Sequence, residues 1–380
     1  MILENQKELF DIPPGITYLN CAYMSPVLKK VNEAGLKGMN KRSQPWEIHV
    51  EDWFQPAEEL RSLFAKIVNA DKECIAFVPS ASYGLAVAAN NISLTSKQKI
   101  IVLEGQYPSN YYVWKDLSDR TGATLITIIR AANQSWTDAI LEKIDDSTGL
   151  VAIPNCHWTD GSLVDLEKVS LETKKVNAKL VIDASQSLGA YPLDISKIKP
   201  DFLCSVGYKW LLGAYGLSYL YADTSYCETG KPIEFGWLNR YGSEDFTRLV
   251  DYTDKYRLGA RRFDAGGFPG FINIPMATAA LTQVLDWGID NIQESLSLLT
   301  DEIELRAREN NYETQERKNR TGHLIGIRFT DSAVDAIRKK LTANKIYISF
   351  RGSNMRVAPH LYNSKEDIEK LFLCLREEQG

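Results

Sequence analysis

Between residues 55 and 221, short apolar runs alternate with stretches of helical period. The runs Cys74–Pro79, Lys99–Leu103, Thr124–Ile129, Leu150–Pro154, Leu180–Asp183, Phe202–Val206 and Leu217–Tyr221 predict strands. Most are continuously apolar rather than alternating, as suits strands covered on both faces by helices. Amphipathic stretches such as Ala57–Asn69, Asp138–Ile144 and Leu166–Val176 lie between them. Strands alternating with helices argue βαβ units and an α/β fold with a mostly parallel, doubly wound sheet. In such sheets ligands sit beyond the carboxyl ends of the strands, so the residues just after each strand are the first candidates for chemistry.

Residues 225–270 break this rhythm. They are rich in Gly, Tyr and Arg and weak in period, which reads as a long functional loop region. Helical period returns from about Pro275 to Asn310. A strand-like His323–Phe329, a helix around Ser332–Asn344, a strand Ile346–Phe350 and a last helix Lys365–Glu378 come next. The expected division is a large domain over residues 15–270 and a smaller α+β domain over 271–380, joined by residues 1–14.

Composition narrows the class further. The 380 residues are 44% hydrophobic and 24% charged, near globular averages. Lys and Arg number 44 against 49 Asp and Glu, a net charge of −5, so no broad basic face for nucleic acid is implied. No apolar run approaches the roughly 18–20 residues of a membrane span, and the N-terminal MILENQKELF does not read as a secretory signal. Six scattered Cys without a CxxC read as reduced thiols of a cytoplasmic protein. The four His lack metal-ligand spacing, so no metal site is expected.

The most informative segment runs Val181-Ile182-Asp183-Ala184-Ser185-Gln186-Ser187, succeeded by Ser205-Val206-Gly207-Tyr208-Lys209-Trp210. Asp183 ends one apolar strand. Lys209 comes after the next, between two aromatics. A Lys against apolar surface loses hydration, its pKa falls, and it becomes a usable amine nucleophile for Schiff-base chemistry. An Asp facing it from the neighbouring strand can keep a pyridine nitrogen protonated and so make the ring an electron sink.

Here the chain resembles the fold-type I enzymes that use pyridoxal 5′-phosphate (PLP). Within them it is similar to the class V aminotransferase family, which includes cysteine desulfurases, kynureninases and isopenicillin N epimerase-like proteins. The resemblance runs from about Tyr18 to Leu373. It implies that Lys209 forms the Schiff base, that Asp183 pairs with the pyridinium nitrogen and that Gln186 bonds the ring O3′. Val78-Pro79-Ser80-Ala81-Ser82-Tyr83-Gly84 supplies a strand end, small residues and a helix start, which suits a phosphate. The resemblance assigns that phosphate to the Ala81 and Ser82 backbone and the Ser82 hydroxyl, with the Tyr208 hydroxyl in reach. Tyr107 stands where desulfurases stack a His on the ring. It can stack, but near neutral pH it is a much weaker base.

Other blocks carry less specific signals. Trp158, in Asn155-Cys156-His157-Trp158-Thr159-Asp160-Gly161, falls near the family's second contact to O3′. His157 reads either as a proton-transfer group facing substrate or as a structural His bonded within its loop. Arg356, in Asn354-Met355-Arg356-Val357-Ala358, resembles the family's α-carboxylate anchor, a role that suits a planar, permanently charged guanidinium. Asn20, in Tyr18-Leu19-Asn20-Cys21-Ala22, resembles a block near the substrate. Arg262-Phe263-Asp264-Ala265-Gly266-Gly267 resembles a turn that reaches the partner subunit's phosphate, implying a homodimer with shared active sites. Gly267 replaces the usual Thr and offers only its backbone N–H.

Two departures bear on the reaction. Phe350-Arg351-Gly352-Ser353-Asn354-Met355-Arg356 has no Cys where desulfurases carry the persulfide-forming one. Gln186 stands where kynureninases have His. Persulfide-type desulfuration and kynureninase activity are therefore disfavoured. Transamination and β-elimination of a sulfur amino acid remain nearly equal, with epimerisation behind them and Lys209 the default base at Cα. A non-catalytic PLP-binding relative is the other class of reading, opposed by the intact Lys209, Asp183 and Arg356. No strand leads into a GxGxxG or GxxxxGK[ST] match, which argues against a nucleotide-binding protein.

Overall fold

The computed structural model describes residues 1–131, 134–268 and 270–376. After a two-residue strand, β1 (Thr17–Tyr18), seven strands build one sheet. They are β2 (Ile75–Val78), β3 (Lys99–Leu103), β4 (Thr124–Ile128), β5 (Thr148–Pro154), β6 (Lys179–Asp183), β7 (Phe202–Val206) and β8 (Ser218–Ala222). Their order is β2-β8-β7-β6-β5-β3-β4. Each predicted strand is present to within two residues at either end. Strands β3 to β7 are mutually parallel, and β8 runs antiparallel to both β7 and β2. The central strands β5 to β8 are buried almost throughout, as continuous apolar runs require, with each buried Val, Leu or Ile contributing roughly 1.5–3 kcal/mol. Only β4, at the edge, is largely uncovered.

The order decides where a site can form. The chain passes from β3 out to β4, then returns past β3 to β5 and continues through β6 to β7. Beyond the carboxyl ends of β3 and β5 the connections diverge and leave a crevice. The ends of β2, β6 and β7 point to the same side. Close layering of helix on sheet is needed there. A Cβ on Gly84 would lie 2.7 Å from the Cys204 sulfur, so only glycine lets the helix Ala81–Asn91 rest this near β7.

A second, antiparallel sheet has the order β12 (Ser349–Arg351), β13 (Asn354–Val357), β10 (Ile325–Arg328), β9 (Glu313–Thr314). The strand expected over Ile346–Phe350 is split: β11 (Ile346–Tyr347) pairs with β1, while Ser349 and Phe350 enter β12. One extended segment thus serves two sheets. The last helix, Lys365–Arg376, ends where the described residues end, so Glu377 and Glu378 of the expected helix lie outside them.

Packing does not respect the expected boundary at residue 271. The helix Asn273–Trp287 buries Ile274, Leu281 and Val284 in the larger core, which also takes Phe10 from the N-terminal segment. The long helix Ile289–Glu309 gives Ile292 and Leu296 to the larger core and Ile303 and Ala307 to the smaller, which Leu19 joins. An apolar face shared by two cores leaves no composition shift to mark a boundary. Residues 224–268 contain a short helix, Thr224–Thr229, and several 3-10 turns. Their anchors are ionic: Arg61 pairs with Asp264, and Arg261 pairs with Glu58 and Glu73. Among the described residues no helix is long and apolar enough to cross a membrane.

Candidate active site

Asp183 is the last residue of β6, and Lys209 lies three residues past the end of β7. Because the two strands are adjacent and parallel, both side chains reach the same rim. The Lys209 Nζ lies 5.5 Å from the Tyr107 ring centroid and 5.9 Å from that of Tyr208. Lys209 is 8% exposed. Burial pushes its pKa down to about 8, Arg356 and Arg351 push the same way, and Asp183 opposes them. At pH 7 about a tenth of such amines are neutral, against well under a thousandth for an ordinary lysine.

Asp183 is buried at the floor of a small cavity of about 30 Å³. Its Oδ1 accepts from the Ser185 N–H at 3.0 Å, and its Oδ2 has no hydrogen-bond partner among the described residues. A carboxylate oxygen left open on a cavity wall suits a protonated nitrogen. Gln186 is locked from both ends: Nε2 donates to Ala22 O and Oε1 accepts from Trp210 Nε1, each at 3.0 Å. The small cavity opens into a cleft of about 410 Å³ that shares Tyr107, Trp158, Gln186, Tyr208 and Lys209 with it.

Groups able to take an anion lie at either end. After β2, Ser80 caps the helix Ala81–Asn91, its Oγ accepting from Tyr83 N–H at 3.1 Å. The N–H groups of Ala81 and Ser82 have no partner among the described residues, as the first turn of a helix dictates. Ala81 borders the small cavity. In the outer cleft, Arg356 is 1% exposed. Its Nη1 donates to Trp158 O at 3.0 Å, but Nε and Nη2 are buried without a partner and no carboxylate pairs with it among the described residues. Burial and the neighbouring Arg351 lower its pKa.

The structure therefore gathers Ala81, Tyr107, Trp158, Asp183, Gln186, Tyr208, Lys209 and Arg356 around one connected space. Three other candidates and the Ser82 hydroxyl stand outside it. The Ser82 hydroxyl donates to Ser109 Oγ at 2.8 Å. Asn20 Oδ1 accepts from Ser349 Oγ at 2.8 Å, which fixes the N-terminal segment to β12. His157 is stacked on Trp136, with Nδ1 2.8 Å from Thr159 Oγ1 and Nε2 3.1 Å from Glu104 O, so both ring nitrogens are engaged within loops. Burial lowers its pKa. Gly267, at φ +73°, borders a separate groove beside Trp53 and Phe271.

The cleft also holds residues that sequence reasoning missed, Arg351, Tyr23 and Tyr215 among them. For Arg351 a signal existed. In the β12–β13 hairpin Ser349 pairs with Arg356, so 349, 351 and 356 share a face. Seeing this required the turn at Gly352-Ser353 to be placed first.

A model of the family described as aminotransferase class-V matches residues 26–371. The chain belongs to the class V aminotransferase family. It is 27% identical over 317 residues to YcbU of Bacillus subtilis (strain 168), described as an uncharacterized aminotransferase, covering 83% of this chain and 81% of that one. An apo cysteine desulfurase from Thermococcus onnurineus NA1 superposes with a TM-score of 0.85 at 20% identity, over 100% of this chain and 99% of the other. A mutant of C-DES, with glycine covalently linked to the PLP cofactor, superposes with a TM-score of 0.87 at 17% identity, over 97% and 98% of the two chains. These two likenesses establish the fold, that of the fold-type I enzymes. Within this class V aminotransferase-family fold, the tight turn at Gly352 (φ +58°) leaves no loop between Arg351 and Arg356 to carry a mobile Cys. All six cysteines are buried, and none forms a disulfide among the described residues. Cys21, beneath the cleft, has its thiol pKa pushed well up by burial.

Proposed function

We propose that this chain is a PLP enzyme that acts on an α-amino acid by transamination or by β-elimination without a persulfide cysteine. The observation that carries the reading is a buried, depressed-pKa Lys209 set between the open oxygen of Asp183 and the two unpartnered nitrogens of Arg356. The residues fit the cofactor: Asp183 would hold the pyridine nitrogen, Gln186 and Trp158 would border the ring oxygen, Tyr107 would cover the ring, and the Ala81 and Ser82 N–H groups would take the phosphate. When bound, PLP supplies an electron sink for a bond broken at Cα. The chain's own residues do the rest. Arg356 binds the α-carboxylate with the two nitrogens it leaves free. Lys209, neutral in a useful fraction, moves the Cα proton. Tyr107 and Trp158, edge to face at 5.4 Å, narrow the cleft against water. Six buried cysteines without a disulfide among the described residues support a cytoplasmic setting. A homodimer is part of the proposal, because the Gly267 turn lies away from its own chain's cleft and would serve that of a second copy.

The test is the visible spectrum of the PLP-loaded protein, taken with a panel of amino acids. Conversion to the pyridoxamine form, reversed by a 2-oxo acid, shows transamination. A persistent absorption with a keto acid accumulating from a sulfur amino acid shows β-elimination. No lysine-bound PLP absorption sinks the reading. A second result is expected of the cofactor-free protein. Its capture of PLP, monitored by absorbance, speeds up about tenfold per pH unit below about 8 and levels off above, because only the neutral Lys209 amine attacks.

A further inference from the structure

The outer cleft carries more positive charge than an ordinary amino acid can answer. Lys209, Arg351 and Arg356 all line it, no carboxylate among the described residues lines it with them, and Asp183 borders only the inner cavity. Ala81, at the proposed phosphate site, borders the inner cavity and not the arginines. One α-carboxylate answers Arg356. Arg351 is left.

Its position is built rather than incidental. Arg351 and Arg356 share one face of the β12–β13 hairpin. Their guanidinium carbons lie 5.0 and 6.0 Å from the centroid of the same Trp158 ring. That ring is itself held by its Nε1–H, which donates to Gly105 O at 2.6 Å. A guanidinium over an indole is oriented and partly desolvated there. Arg351 Nη1 donates to Phe350 O at 2.6 Å, and Nε is buried without a partner. Neither arginine forms an ion pair with a carboxylate among the described residues. Two like charges held side by side with no counter-ion are a standing cost that a ligand with two anionic groups relieves.

Resting on the PLP reading, we propose that the substrate is an amino acid with a second anionic group, a carboxylate or sulfinate, on its side chain, and that Arg351 selects it. Arg356 then takes the α-carboxylate and Arg351 the distal anion. Arg351 is a specificity residue: it leaves the reacting atoms to Lys209 and Asp183.

Two measurements on the PLP-loaded protein test this. Spectral titration compares aspartate with asparagine, glutamate with glutamine, and cysteine sulfinate with cysteine. Calorimetry compares the unreactive dicarboxylates succinate and maleate with butyrate. The wild type is expected to bind the anionic member of at least one amino-acid pair about tenfold or more tightly than the neutral one, and a dicarboxylate more tightly than butyrate. Arg351→Gln should collapse those ratios toward one, and Arg351→Lys should retain part of them. Equal affinities in the wild type, or ratios unchanged in Arg351→Gln, overturn the proposal. The wild-type ratios decide it even where a variant fails to fold. If no amino acid of either kind perturbs the cofactor, the PLP reading itself fails, whereas dicarboxylate binding still reports on the arginine pair.

Discussion

Lys209→Met is expected to lower turnover about 10⁴-fold while making the cofactor-free protein more stable. The loss arises because the proposed mechanism has one amine, and its removal takes both the covalent anchor and the general base. The gain arises from the folded-state pKa of about 8 against an ordinary value of 10.5. A lysine pKa depressed on folding means that the folded chain binds fewer protons than the unfolded chain between those two values. Wild-type stability therefore rises with pH across that window. Below pH 8 both states are protonated, and the folded state carries the whole penalty of about 3 kcal/mol. Methionine fills similar space without a charge. Urea unfolding at pH 7 should show the variant more stable by up to about 3 kcal/mol, with the gap closing toward pH 10.5. A variant no more stable at pH 7 would show that Lys209 is not desolvated, and one that keeps turnover that it is not catalytic.

Asp264→Ala should cost about 3–5 kcal/mol of stability. The Asp264 and Arg61 side chains are both fully buried, with Arg61 Nη2 2.8 Å from Asp264 Oδ2. Oδ1 also accepts from Phe77 N–H at 2.7 Å. Burial raises the Asp264 pKa although Arg61 opposes it. Alanine would leave Arg61 charged and without its buried partner. The pair joins the helix Glu51–Val68, the turn Gly259–Phe263 and strand β2, which leads directly into the proposed phosphate site at Ala81. PLP affinity should therefore fall with stability. Replacing both partners, Arg61→Met with Asp264→Leu, should recover most of the loss, because the charge and its counter-ion leave together. Denaturant midpoints and a PLP titration check both statements. A single variant within about 0.5 kcal/mol of wild type would remove the pair from the account of how residues 225–270 are held.

Asp264 also shows how legibility divides. The Arg262–Gly267 block stood out as a motif, yet its meaning as a buried counter-ion depends on Arg61, about two hundred positions away, which no local pattern connects to it. His157 illustrates the opposite case. It lies just past a strand end, where chemistry is expected, but both of its nitrogens are already engaged by Thr159 and Glu104. Asn20 is similarly occupied by Ser349. A residue type suited to catalysis carries no mark in the sequence of whether its hydrogen bonds are already made.

By itself the sequence determined the seven strands of the large sheet, their mostly parallel character and the placing of Asp183 and Lys209 at neighbouring strand ends. Those features depend on apolar runs and on the residues immediately after them, and both are local. It also determined the missing persulfide cysteine, which is a matter of identity at one stretch of chain. The tertiary structure alone decided the strand order that opens the crevice, the helix shared by two cores, the depth of burial that lowers the Lys209 pKa, and the meeting of Arg351 with Arg356 on one tryptophan. Each of these depends on free energy exchanged between segments far apart in the chain, through desolvation, charge and packing, and no single segment contains it.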